Sequence, residues 1–433
     1  MTNFQTAAQM TGQPYNSHFI ILGDSRVDQC TYTATGPTIE AWPAIGHTNW
    51  LRFKTGQRIW WNGEADNFGI AGEYSSEVLA RTDAALAASD AAIWIVLVST
   101  NDRTNNRYPA YTAAETIGYL EQIRDKIIAA GRVCIFVAET PRGDTTYTAQ
   151  RLTSPQLQYH MAVHDWLLSQ RDVAGVYVGD PWPAMALASS STGDAIVGKT
   201  ADGLHQASLG ARDMGNSLVD IINTIVPPVA ILPSSNTDQY DATYFPEGCL
   251  NLNPMLTGTS GTVGSSSGAT ISGQLADSYS NAYQNVSGLT FTFSKVTDSD
   301  GVAWQQVAIS GTAPASGNST ASVCRALPAT GRFTIGDVLE GVAEFEWDAG
   351  MTGVQGIGLQ WNENTTGNSC VDMGGSSNGL PFATTADRGV MKTPKAAITE
   401  VNIRFSPTVQ FINGATVSAT IRFRAMGLRK VIS

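Results

Sequence analysis

Four short apolar runs, separated by longer stretches with helical spacing, constrain the first half of this chain more than any other feature. They are residues 18–22 (HFIIL), 92–98 (AIWIVLV), 133–138 (VCIFVA) and 176–178 (VYV). Strands that read as near-continuous apolar runs are covered on both faces, as in a parallel sheet. Between and after them, amphipathic spacing predicts helices near 75–88, 112–130, 154–170 and 208–225, the last with Ser208 as its capping residue. Strand–helix alternation predicts a parallel sheet with right-handed crossovers and helices on both faces. The expected fold class is therefore α/β, with three layers, α/β/α.

That pattern stops after residue 226. Pro227 and Pro228, followed by a Pro- and Ser-bearing stretch over residues 229–247, read as a linker between a domain at 1–228 and one at 248–433. Of 42 glycines, 18 precede residue 231 and 24 follow it in the shorter remainder. Residues 289–293 (LTFTF), 304–309 (WQQVAI), 342–347 (VAEFEW) and 417–423 (VSATIRF) are β-rich and punctuated by Gly, Ser, Thr and Asn. They predict an all-β sandwich, jelly-roll-like in type, with residues 258–268 (GTSGTVGSSSG) as a loop.

Composition excludes several classes. At 433 residues the chain can bury two cores without a disulfide framework, and its five cysteines, an odd number, are too few for one. Only 15% of residues are charged, the net charge is −11, and no stripe of Lys or Arg is present, which argues against a nucleic-acid partner. No apolar run approaches the roughly 18 residues needed to span a bilayer. The first residues, MTNFQTAAQMTGQPYNS, lack the basic start and apolar stretch of a secretory signal. Location is thus left open between several routes, with extracellular or virion-associated action the expectation. The oligomeric state has no sequence signature here.

Chemistry-bearing residues gather at strand ends in the first half. The run HFIIL leads directly into Gly23-Asp24-Ser25-Arg26. Ligands of open α/β sheets bind at the carboxyl ends of strands, so a serine in that turn is placed as a nucleophile. A serine hydroxyl needs a base, usually histidine. Of the five histidines, His205 lies in Ala201-Asp202-Gly203-Leu204-His205, just before the last helix, with Asp202 spaced to bond the same imidazole. The run AIWIVLV ends in Ser99-Thr100-Asn101-Asp102, where an Asn amide can donate to a developing oxyanion. Asn67-Phe68-Gly69-Ile70-Ala71-Gly72 precedes a helix, so the Gly72 backbone N–H is a second candidate donor.

Taken in order, Gly-Asp-Ser near the start, Asn-x-x-Ile-x-Gly, a strand ending before Asn-Asp, and Asp-x-x-His before the final helix resemble the SGNH (GDSL-like) hydrolase family. The resemblance covers about residues 17–226 and implies a flavodoxin-like α/β/α domain that hydrolyses esters without a cofactor. It implies Ser25 as nucleophile, His205 as general base and Asp202 as its orienting acid. The Ser25 N–H, Gly72 N–H and Asn101 side chain would form the oxyanion hole, with Asp24 supporting the turn. Two positions depart from the family pattern: Arg26 stands where an apolar residue is usual, and Ser99 where glycine is. Arg26 is a candidate contact for an acidic substrate, or a partner for Asp24 or Asp28.

The second half resembles, in architecture, carbohydrate-binding modules attached to polysaccharide-active enzymes. Its opening, Asn251-Leu252-Asn253-Pro254, is also similar to C-terminal modules of phage tail proteins. Trp347 and Trp361 are candidate sugar-stacking platforms. These resemblances imply an acylated polysaccharide as substrate and partner; the alternatives are a general esterase or lysophospholipase acting on lipid-like esters, and a non-catalytic polysaccharide-binding or virion structural protein. Asp298-Ser299-Asp300-Gly301 marks a candidate structural Ca²⁺ loop that lacks the closing Glu of an EF-hand. His160 and His164, four apart on one helix, have no third metal ligand at suitable spacing and read as an exposed helix face. Cys249, Cys324 and Cys370 allow one disulfide, whereas Cys30 and Cys134 read as core residues. Trp42, Trp50, Trp60 and Trp61 read as a mixture of core and site-facing aromatics.

Overall fold

The computed structural model describes residues 16–32, 38–104, 109–299, 301–328, 331–375 and 380–432. The chain divides into two compact units. One holds Ile45–Pro228 and the described residues up to Thr31; the other holds Val229–Ser433 together with Tyr32–Ala44.

The first unit runs through β1 (Phe19–Gly23) and α1 (Ser25–Asp28). The chain then lends β2 (Thr38–Trp42) to the second unit and returns with α2 (His47–Lys54), β3 (Asn67–Gly69), α3 (Ser75–Ala88) and β4 (Ile93–Leu97). It continues with α4 (Ala113–Ala129), β5 (Val133–Val137), α5 (Ser154–Ser169), β6 (Val176–Gly179), α6 (Trp182–Met185) and α7 (Ser208–Ile225). The five strands are all parallel, in the order β3-β1-β4-β5-β6.

Side chains alternate across a strand, and here the alternation sorts two cores. Even-numbered Ile20, Leu22, Trp94, Val96, Cys134, Phe136, Val176 and Val178 pack with Val78 of α3, with Leu120, Ile123 and Ile127 of α4, and with Val163 and Leu167 of α5. On the opposite face, α2 and α7 pack against each other, and Leu218 of α7 closes on Gly179 of β6. That is the three-layer α/β/α arrangement. Capping boxes start α4 and α5: Glu115 Oε2 accepts from the Thr112 N–H at 2.8 Å, and Gln156 Oε1 accepts from the Thr153 N–H at 2.8 Å. For α7 the cap is Ala207 and Ser208 is the first helical residue, so the expected serine cap is displaced by one position.

The second unit is a β-sandwich. Its strands are β7 (Thr270–Gly273), β8 (Tyr279–Gln284), β9 (Leu289–Thr297), β10 (Ala303–Thr312), β11 (Thr320–Ala326), β12 (Val338–Trp347), β13 (Val354–Glu363), β14 (Ser369–Asp372), β15 (Asp387–Lys392), β16 (Ala396–Ala397), β17 (Ile403–Phe411) and β18 (Thr416–Lys430). One sheet has the order β15-β12-β18-β10-β9-β7, with β16 also on β12; the other has β2-β14-β13-β17-β11-β8. The inner faces meet where Phe291 of β9 contacts Phe411 of β17 at 6.1 Å and Tyr283 of β8 at 4.9 Å between ring centroids. Gly341 of β12 lets the Phe405 ring approach so closely that a β-carbon there would lie 2.3 Å from it.

Residues 229–247 are more than a linker. The Asp238 carboxylate accepts from the Ser234 and Ser235 N–H groups, Tyr240 N–H donates to Cys249 O at 2.9 Å, and Arg429 donates to Ile231 O at 2.9 Å. The stretch is therefore hydrogen-bonded into the sandwich. Residues 258–268 form a loop pinned by Asp277, which accepts from Ser260, and by Asn281, which accepts from Gly264. All five cysteines are free and buried, so the three in the sandwich act as small core residues. Among the described residues no helix is long and apolar enough to cross a membrane.

Candidate active site

The turn that carries Ser25 is built by close backbone approach. A β-carbon on Gly23, at the carboxyl end of β1, would lie 1.9 Å from Leu97 O of β4; one on Gly69 of β3 would lie 2.2 Å from Asp28 N. These two glycines, paired in register across β1 and β3, let the chain turn tightly into α1. Asp24 caps that turn, its Oδ1 accepting from the Arg26 N–H at 2.9 Å. Ser25, half-buried, is thereby held at the carboxyl edge of the sheet.

The histidine arrives on a closed loop between α6 and α7. Thr200 and Gln206 pair across its base, and Ala201 N–H donates to His205 O at 2.8 Å. Gly203 sits at φ +85°, a left-handed conformation that glycine adopts without strain. This geometry brings His205 Nε2 to 2.8 Å from Ser25 Oγ and His205 Nδ1 to 2.7 Å from Asp202 Oδ2. The second carboxylate oxygen of Asp202 accepts from the Leu204 and His205 N–H groups at 3.0 and 2.8 Å. Partial burial alone would push this carboxyl up; the His205 imidazole and those backbone donors outweigh it and bring it down to about 2. An ionised Asp202 fixes the proton on Nδ1 and leaves Nε2 facing the serine hydroxyl.

Two further elements reach the same edge. The turn leaving β3 begins with Ile70 N–H donating to Gly23 O at 3.0 Å and closes with Glu73 N–H donating to Ile70 O; Gly72 occupies its third position at φ +78°. Beyond β4, a 3₁₀ turn over Thr100–Arg103 carries Asn101, whose amide donates to Glu73 O at 2.9 Å. Arg81 clamps the assembly, donating to Gly23 O at 3.0 Å, Phe68 O at 2.8 Å and Glu73 Oε2 at 2.7 Å.

Arg26 is placed otherwise than as a substrate contact. Its guanidinium is fully buried, bidentate on Asp24 at 3.1 and 2.8 Å and donating to Thr140 Oγ1 at 3.1 Å. Trp347 and Trp361 are 1% and 0% exposed, inside the sandwich core, and offer no face to a sugar. His160 and His164 do not form an exposed helix face: both are buried, on Thr140 O at 2.9 Å and Asp180 Oδ1 at 3.1 Å respectively. Of the four tryptophans, Trp42, Trp50 and Trp61 are buried. Trp60 is exposed but stacks on His18 at the amino end of β1, away from Ser25. Asp298 uses its carboxylate within the β9–β10 turn, accepting from the Val302 N–H and the Trp304 indole; Asp300 lies outside the described residues.

Three contributors had no role assigned from sequence, and two of them, Gln206 and Glu139, lay outside the motif pattern. Gln206 donates to Arg26 O at 2.8 Å, tying the His205 loop to the Ser25 turn. Asn67 donates to Val27 O, Asp28 O and Thr31 Oγ1, tying β3 to α1. Glu139, buried just beyond β5, faces both Arg26 and Ser99. The two positions that depart from the SGNH pattern thus converge on one carboxylate.

The fold is similar to several solved structures over about half of this chain. A GDSL-like lipase from Bacteroides thetaiotaomicron is 15% identical, with 49% of this chain and 92% of that one covered at a TM-score of 0.38. A lipase/acylhydrolase from Enterococcus faecalis is 16% identical, with 49% and 99% covered at a TM-score of 0.36. An acetyl xylan esterase is 11% identical, with 47% and 99% covered at a TM-score of 0.34. Neither a protein-family model nor a curated protein sequence matches the chain.

Proposed function

We propose that the first unit is a serine-nucleophile hydrolase of carboxylic esters. The observation that carries this reading is the continuous hydrogen-bonded line from Ser25 Oγ through His205 to Asp202, with contacts of 2.8 and 2.7 Å. A serine and a histidine in one loop region are commonplace; a base oriented by an ionised carboxylate and aimed at a serine on a tight strand-to-helix turn is an activated nucleophile.

In this mechanism Nε2 of neutral His205 takes the Ser25 proton as Oγ attacks the ester carbonyl. The new C–O bond places the negative charge on the former carbonyl oxygen. The Asn101 amide, which has a second N–H beyond the one on Glu73 O, donates to it, together with the Gly72 and Ser25 backbone N–H groups. The imidazolium returns the proton to the departing alkoxide, giving an alcohol and an acyl-enzyme. Water, deprotonated by the same Nε2, then releases the acid and restores Ser25.

The finer reading is removal of O-acetyl groups from a polysaccharide. It is supported by the low charge of the chain and by the attached β-sandwich, which as a carbohydrate-binding jelly-roll module would hold the hydrolase on a polymer and raise local substrate concentration. Acetate release from acetylated polysaccharides should exceed hydrolysis of aryl esters of increasing chain length, and Ser25→Ala should reduce both to background. Preference for acyl chains above eight carbons would replace the sugar reading by a lipid-ester one. Equal activity in the wild type and Ser25→Ala would remove the hydrolase reading altogether.

A further inference from the structure

Ser99 occupies a backbone conformation that serine rarely adopts. Its φ is +115° and ψ −11°, in the left-handed region that favours glycine, and the residue is fully buried. The position matters because Ser99 O accepts from the Asp102 N–H at 3.0 Å, opening the 3₁₀ turn that carries Asn101. A relaxed Ser99 would swing that turn, and the Asn101 amide with it. Something must hold the residue in place.

We propose that Glu139 is a positioning residue for the oxyanion side of the site, holding Ser99 in its left-handed conformation so that Asn101 stays aimed at the ester. The inference rests on the ester-hydrolase reading and extends it by one residue. Ser99 Oγ donates to Glu139 Oε1, a bond made in a place where water cannot substitute, since Glu139 is 1% exposed. Two further groups face the carboxylate beyond hydrogen-bond reach: Arg26 Nη1 lies 3.8 Å from Oε2 and His160 Nδ1 lies 3.8 Å from Oε1. Burial pushes this carboxyl up, but the Arg26 and Arg103 guanidiniums and the Ser99 hydroxyl hold it below its ordinary value, so it is kept as the charged acceptor. Arg26 follows the nucleophile directly, and it also donates to Thr140 beside Glu139. One carboxylate therefore spans the carboxyl ends of β1, β4 and β5 and couples the nucleophile turn to the oxyanion turn.

The test is a double-mutant cycle read as kcat and KM on a short acetate ester, with melting temperature recorded for each variant. Glu139→Ala should lower kcat by about tenfold or more, because sub-ångström misplacement of a reacting constellation is enough for such losses, with KM within about twofold. Glycine adopts φ +115° unaided, so the same substitution made with Ser99→Gly should cost only about twofold in kcat relative to Ser99→Gly itself. Glu139→Gln, which keeps an acceptor for the hydroxyl, should retain most of the rate. Where Glu139→Ala fails to fold, Ser99→Ala serves instead: it keeps the β-carbon and loses the hydroxyl, and should be slower than Ser99→Gly. Equal kcat losses in both backgrounds, a loss confined to KM or melting temperature, or Ser99→Ala as fast as Ser99→Gly would overturn the proposal. Failure of the hydrolase reading shows separately, as no difference between the wild type and Ser25→Ala.

Discussion

Asn101 illustrates how one side chain is fixed and still available. Its amide donates to Glu73 O, and Glu73 is itself held by Arg81, so the plane of the amide is set before any ester binds. Preorganised donors of this kind act mainly in the transition state. Asn101→Ala should therefore reduce kcat on the order of 10²–10³ while KM changes little, as for removal of one oxyanion donor; a change confined to KM would count against the role. The juxtaposition of Ser25, His205 and Asp202 was legible because Asp-x-x-His and Gly-Asp-Ser are local patterns set at strand and loop ends. For Arg26 the Asp24 pairing, one of the two readings its sequence neighbours allowed, is the one the structure forms, whereas the sugar-stacking reading of Trp347 and Trp361 fails because their packing partners are distant. Arg26 meets Thr140 114 residues away, and Trp347 packs on Phe382. Residue type alone does not separate a buried guanidinium from a substrate clamp.

Among the elements, β1 and its turn into α1 carry a strict packing requirement. The β-carbon of Gly23→Ala would sit 1.9 Å from a main-chain oxygen of β4, and a paired strand cannot yield as a flexible side chain does. The substitution should destabilise the first unit by more than about 2 kcal/mol and lower turnover with it, measured by urea unfolding and ester hydrolysis. Unchanged unfolding would show that β1 and β4 approach less closely. The apolar runs that became β1, β4, β5 and β6 were legible because central parallel strands are apolar on both faces. The element that was not legible is β2, a TIEAW segment that pairs in parallel with β14 more than 300 residues later in the chain. Nothing local to Thr38–Trp42 encodes that partner. Strands β13 and β17 were passed over too, because Gly356, Gly358 and Pro407 interrupt their alternation while allowing close backbone packing.

The molecule consists of two differently built units, an α/β/α layer structure and a β-sandwich, and the exchange of Tyr32–Ala44 makes them discontinuous in sequence. The first unit buries two neutral histidines. Burial and the Arg26 charge push His47 down to about 3, and burial pushes His160 down to about 4, against an ordinary 6.5. In that window the unfolded chain binds protons that the folded chain refuses, so stability falls on acidification by about 1.4 kcal/mol per pH unit for each histidine. His18 and His164 are shifted upward, burial being outweighed by Asp66 and Asp90 for one and by Asp180 and Asp165 for the other. Their contributions are complete below pH 6.5 and are lost only as the pH rises through the raised values. The calorimetric transition of the first unit should therefore drop between pH 6.5 and 5, and a flat profile would contradict the burial of His47 and His160. The central claim, that His205 and Asp202 activate Ser25, is tested most directly by mass spectrometry after reaction with a fluorophosphonate. The expected result is one adduct per chain, on Ser25, lost in His205→Ala; labelling of another residue, or undiminished labelling of Ser25 in His205→Ala, would contradict it.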